Sequence, residues 1–224
     1  MQQKWWARVA SIHRPADYES AALTRLSYGP SGVSLSAAEL MRPRRSYDDC
    51  AMALALGLLI LRLVVGLTVA AHGAQKLFGW WGGPGMTGWT QVVSKLRIRP
   101  AQPWAWIAAL SEFGGGLLLA LGFLSPLGSL AIAGAMLVAI ATVHLPRGFW
   151  VTKGGYEFNL ALIGAVAALA LTGPGAYSLD AALGIRLPEP ISLIVGTIAL
   201  IIGVAATLLS RSPQPDAAAK PQAT

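Results

Sequence analysis

Apolar residues run almost unbroken from Cys50 to Phe78, and further apolar runs follow at about 104–124, 126–145, 156–173 and 190–209. Each approaches the roughly 20 residues that a helix needs to cross a bilayer. The breaks between them carry helix-ending chemistry: Gly82-Gly83-Pro84-Gly85, Ser125-Pro126, Pro146-Arg147-Gly148, Gly173-Pro174-Gly175 and Pro188-Glu189-Pro190. The pattern predicts an all-α membrane protein. Small residues also recur at four-residue spacing, as Ser111 and Gly115, as Ala131, Ala135 and Ala139, and as Gly164 and Ala168. Such faces let helices approach closely in lipid, where packing rather than water drives association. A bundle is therefore expected, not a set of separate anchors.

The polar flanks set the division of the chain. Residues 1–49, broken by Pro15, Pro30 and Pro43, read as a mostly disordered cytosolic tail. A membrane domain with four helices is expected over 50–184, an extra spanning helix over 185–210 and a disordered tail over 211–224. Met41, just before Arg42, reads as an alternative start that would make the first forty residues dispensable. Residues 1–47 hold no apolar segment of the secretory-signal kind, and the run that follows is too long for one, even though Val69-Ala70-Ala71 faintly resembles a cleavage site.

Composition narrows the function. Charged residues make up 12% of the chain, against about 25% in soluble domains. The net charge of +7 is scattered, with no basic stripe interleaved with aromatics, so nucleic-acid binding is a poor fit. One cysteine, Cys50, excludes an intrachain disulfide, a CxxC pair and a cysteine-held iron–sulfur cluster. Arg42, Arg44 and Arg45 abut the first span and favour an N-terminus inside the cell, in a multi-pass plasma-membrane protein. Trp80, Trp81, Trp89, Trp104, Trp106 and Trp150 fall on what is then the outer side, as an aromatic belt or a partly inserted loop.

Polar residues inside the spans are the candidate site. His72, Gln75 and Lys76 lie near the outer end of the first span, and Glu112 lies about 12 Å below Trp104 at 1.5 Å per residue. His144 closes the third span, and Glu157 and Asn159 open the fourth, on the same side. An ionised glutamate alone in hydrocarbon is costly, so Glu112 is expected to pair with Lys76 or His72, which lie four residues apart. Two readings stay open: a site that handles a proton or holds a ligand, and a polar clasp that fixes helix register. Arg62 has no obvious acidic residue at its level and is expected to snorkel toward inner-leaflet phosphates, with a bundle-facing role as the alternative. His72 and His144 could in principle ligate haem, although hydrogen-bonded histidines are commoner; no metal site is expected. No P-loop, dinucleotide fingerprint, HExxH or nucleophile elbow is present in the sequence.

Read together, several stretches resemble the DoxX family of small bacterial membrane proteins. They are Leu61-Arg62-Leu63-Val64-Val65-Gly66, His72-Gly73-Ala74-Gln75-Lys76-Leu77-Phe78-Gly79, Gly82-Gly83-Pro84-Gly85, Glu112-Phe113-Gly114-Gly115, Leu121-Gly122, His144-Leu145-Pro146-Arg147-Gly148-Phe149, Gly154-Gly155-Tyr156-Glu157 and Leu171-Thr172-Gly173-Pro174-Gly175. The resemblance spans about residues 54–184 and implies a four-helix membrane core in the bacterial inner membrane. It also implies a redox association, with relatives among thiosulfate–quinone oxidoreductase subunits and membrane partners of oxidative-stress enzymes. The long N-terminal tail and the fifth span depart from that pattern.

The resulting expectation is an integral subunit of a membrane redox system that handles a quinone or a sulfur compound, with a quinone as substrate and the resident cofactor unassigned. Glu112 would exchange the proton. His72 and Lys76 would tune it and orient the ligand, and Gln75, His144, Glu157 and Asn159 would line the site. The rival is a non-catalytic scaffold that docks a soluble oxidoreductase or sulfurtransferase; homo-oligomers fit either reading. A small-solute transporter is weaker, because no paired inverted repeats with broken helices are visible.

Overall fold

The computed structural model describes residues 43–188 and 190–212. The expectations about a tail before residue 43, its cytosolic side and the Met41 start, and about a tail after residue 212, fall outside those residues. The chain divides into two units after Asp48; of the first, only residues 43–48 are described, and they are helical. Residues 43–49, assigned to the tail for their polarity, thus belong to a helix.

The second unit is all-α among the described residues. Helix α1 (Pro43–Phe78) contains the membrane-length stretch Asp49–Phe78. It is followed by α2 (Gly85–Lys95), α3 (Ala101–Leu121) and α4 (Ser125–Ala139), which continues through a π-helical turn, Ile140–His144. Then come α5 (Glu157–Thr172), the short α6 (Leu179–Leu183) and α7 (Ile191–Leu209). Among the described residues, four helical stretches are long and apolar enough to cross a membrane, and α5 is a shorter apolar helix. Large apolar side chains such as Ile60, Val64, Leu67 and Ile198 stay exposed. That would be costly in water and is the expected arrangement in hydrocarbon. The molecule is an all-α membrane bundle.

Glycine sets how α1 and α3 meet. A Cβ added at Gly66 would lie 2.6 Å from the Gly116 carbonyl oxygen, and one at Gly116 would lie 2.5 Å from the Ala70 nitrogen. At Gly73 it would lie 2.3 Å from the Phe113 nitrogen. Backbone therefore rests on backbone along this seam, which fixes an antiparallel register: residue 73 against 113, 70 against 116, and 66 against 116 and 120. The sequence pattern had singled out other small residues. Gly115 does pack on Ala131, but Gly164 has nothing within 4 Å of an added Cβ, and both it and Ala168 are exposed.

This register places the far end of α1 at mid-height on α3, where Phe78 meets Phe113 edge to face. The level above is filled by α2, in the Trp-rich stretch that polarity had assigned to a loop. Met86, Trp89 and Val93 repeat at helical spacing and pack with Ile98, Ala101, Trp104 and Ala105. Helix α7 rests on α4, and its end is tied back to the α2–α3 connection. Arg99 N–H donates to the Ser210 carbonyl at 3.0 Å and Ser212 N–H to the Arg97 carbonyl at 3.0 Å. The end of α7 thus lies at the α2 end of the bundle.

At the opposite end α3 stops at Gly122, in left-handed conformation, with Phe123 N–H bonded back to the Leu118 carbonyl at 2.9 Å. Helix α4 then starts with two backbone N–H groups, Leu124 and Ser125, bonded to the Asp180 carboxylate at 2.9 and 3.2 Å. A carboxylate borrowed from α6 thus caps α4.

If the glycine seam sets the register, Gly116→Val should lower stability in detergent by about 1–3 kcal/mol through overpacking. Gly57→Val, where an added Cβ meets nothing within 4 Å, should leave the thermal midpoint nearly unchanged. Thermal unfolding of the purified variants reads both.

Candidate functional site

Glu112 projects from the middle of α3 and is 4% exposed. A carboxylate there must find a cation or give up its charge. The α1–α3 register supplies Lys76, whose Nζ forms an ion pair and hydrogen bond with Glu112 Oε1. The Glu112 Oε2 atom is buried with no hydrogen-bond partner. The Lys76 ammonium also sits 4.2 Å from the centroid of the Trp89 ring, an attractive cation–π contact. Trp89 is held in turn by donating its indole N–H to the Ala105 carbonyl at 3.1 Å. Three elements, α1, α2 and α3, therefore converge on one ammonium group.

The pair forms part of the wall of a cavity of about 240 Å³ enclosed by α2, α3, α4 and α7. The rest of the lining is nearly all apolar, with Trp104, Ile107, Leu130, Val138, Leu200 and Val204 prominent. Ser111, Thr142 and Thr207 add hydroxyls. Thr142 and Thr207 spend their protons on the Val138 and Gly203 carbonyls at 2.7 and 2.8 Å. Thr142 and Val143 come from the π-helical turn, a device found often beside functional sites. A greasy chamber with one ion pair suits a mostly apolar molecule that presents a polar oxygen.

The other expected site residues lie elsewhere. His72 is exposed and forms no hydrogen bond or ion pair with Glu112 among the described residues. Four residues at 3.6 per turn overshoot one turn by about 40°, which carries His72 away from the α3 seam, whereas the longer Lys76 reaches around. Gln75 does not line the cavity; it packs against Gly83, whose added Cβ would lie 2.5 Å from the Gln75 Cβ. His144 donates its Nδ1–H to the Gly154 carbonyl at 2.7 Å, and Glu157 Oε2 accepts from Val151 N–H at 2.9 Å. Both organise the α4–α5 connection rather than the cavity mouth. Asn159 is buried and donates to Met136 Sδ at 3.2 Å, a clasp between α5 and α4.

Arg62 corrects the sequence reading most clearly. It does not reach out to phosphates; it is fully buried at 0% exposure and donates from Nη2 to the Tyr177 carbonyl. It lies against Gly122, where any Cβ would collide with its Nη1, and it feels the charge of Asp180. Asp180 is the lone charged residue between Glu157 and Arg186, a signal that was visible in the sequence. Trp89 was visible too, through the Met86, Trp89, Val93 spacing, but the cavity walls from α4 and α7 carried no charged residue to mark them.

Breaking the Lys76–Glu112 pair from one side should cost more than removing both charges. Lys76→Met is expected to destabilise by roughly 2 kcal/mol, below the about 3–5 kcal/mol typical of wholly buried pairs because Lys76 keeps some access to water. Adding Glu112→Gln should recover most of that loss. A double-mutant cycle on detergent unfolding measures the coupling.

The DoxX family pattern matches residues 57–145, from α1 through the π-helical turn, and so takes in both Lys76 and Glu112. The inner membrane protein YqjF of Escherichia coli is 31% identical over 125 residues, 56% of this chain and 90% of its own length. The inner membrane protein YphA of the same organism is 31% identical over 143 residues, 60% of this chain and 95% of its own. CatD of Bacillus subtilis, whose name bears a provisional oxidoreductase label, is 30% identical over 125 residues, 56% of this chain and 85% of its own. No solved structure gives a significant match. With relatives this similar covered over nearly their whole length, the chain belongs to the DoxX family.

Proposed function

We propose that this chain is an integral inner-membrane subunit of a redox system, with its N-terminus on the cytoplasmic side, and that the cavity binds the ring of a quinone. The supporting observation is the half-used ion pair. Glu112 has one oxygen on Lys76 and one without a partner, at the wall of an otherwise apolar chamber. Lys76 carries three N–H donors. One goes to Glu112, and another is free for a ring carbonyl oxygen. When a hydroquinone is oxidised there, the free Glu112 oxygen takes up the proton that the ring hydroxyl loses; in the reverse direction the protonated carboxyl returns that proton to the ring carbonyl oxygen. A partner oxidoreductase supplies or receives the electrons, in keeping with the oxidoreductase label on the CatD relative.

The lining favours a quinone over an anionic sulfur compound. Burying a small anion among Leu130, Val138, Leu200 and Val204 would cost its hydration, and Glu112 would repel it. A quinone ring is neutral, brings apolar area to the chamber and needs only a hydrogen bond or two for orientation.

Binding of a short-chain quinone analogue, followed through quenching of Trp89 and Trp104 fluorescence, tests this reading. Lys76→Met and Glu112→Gln should each weaken binding about tenfold, or 1.4 kcal/mol. His72→Ala should change it little. Unchanged affinity in both charge variants would remove the assignment.

A further inference from the structure

Two of the residues lining the cavity differ from all the others: Ile107, at 52% exposure, and Gly203 are exposed while lining the chamber. They stand on different helices at one height. The backbone pairing of Arg99 with Ser210 fixes the level of α3 against α7. Ile107 lies eight residues from Arg99 and Gly203 lies seven from Ser210, each about 10–12 Å along its helix. Both helices pack on α4, and α3 packs on α1 as well along the glycine seam. At Gly203 an added Cβ would meet nothing within 4 Å, so nothing packs over this glycine at the chamber's edge.

We infer that the chamber opens sideways into the bilayer through a portal between α3 and α7, bordered by Ile107 and Gly203, and that its ligand is a ring carrying a long apolar tail left in the lipid. This rests on the quinone reading above and specifies the class of quinone. The size of the chamber carries the second half of the inference. About 240 Å³ is below the roughly 300–1,000 Å³ of pockets that enclose whole drug-sized molecules, so it takes a headgroup and leaves a long tail outside. The exposed edge between Ile107 and Gly203 is the apolar exit for that tail. Helix α7, which lies outside the family match at 57–145, thereby becomes one jamb of the doorway and sets its width.

The test uses the full chain in lipid nanodiscs with two quinones that share one headgroup, one bearing a long isoprenoid tail and one tail-free. Gly203→Phe should weaken the tailed quinone about tenfold more than it weakens the tail-free ring. Ile107→Trp, which narrows the slot from the other helix, should do the same. Gly57→Phe, at another open glycine far from the chamber, should change neither. If both portal variants leave the tailed quinone unaffected, or weaken both quinones equally, the portal is wrong while the quinone site stands. If the wild-type chain binds neither quinone, the quinone reading falls and the portal with it.

Discussion

A carboxylate in the middle of a membrane-length helix cannot stay charged without a cation at its side, and this bundle is built so that one is there. Helix α1 carries Lys76 near its end, and α3 carries Glu112 at its middle. The two meet because Gly66, Gly73 and Gly116 let the backbones touch in one register. Shifting that register by a turn would strand the glutamate in hydrocarbon at a cost of several kcal/mol. The small residues and the charged pair therefore specify the same alignment, the first by shape and the second by penalty.

The opposite end of the bundle uses the same logic. Arg62 is fully buried, and its neighbours are arranged around it: the Tyr177 carbonyl accepts from it, Gly122 makes room for it, and Asp180 supplies a nearby negative charge while capping α4. The Lys76–Glu112 pair and the Asp180 cap thus each tie two helices together. Both ends keep buried polar atoms without a partner, Glu112 Oε2 at one and Arg62 Nε and Nη1 at the other. The difference is that Glu112 stands at the wall of a chamber, whereas the Arg62 surroundings are packed tightly enough that Gly122 could hold no side chain.

Much of the fold was legible because hydropathy over 20 residues is a strong signal, and all five apolar runs are helices. The Lys76–Glu112 pair was legible from the cost of a lone carboxylate. What was not legible depended on rotation and register. His72 shares a nominal face with Lys76, yet a 40° overshoot per four residues turns it away from the seam. Asp180 lies outside the five apolar runs, so nothing in the hydropathy pattern put it at the level of Arg62. Helix α2 was hidden by glycines and tryptophans that read as a connection, although its apolar positions follow a helical period. The walls that α4 and α7 give the chamber are mostly alanine, leucine and valine, which look the same whether they face lipid, a neighbour or a cavity.

The central claim is that Glu112 senses a ligand in the chamber through its proton. Infrared difference spectra, recorded as a quinone is added to the reconstituted protein, read this at the group itself. The account predicts a carboxyl band that changes on addition and is missing from the Glu112→Gln spectrum. Identical difference spectra for the two proteins would contradict it.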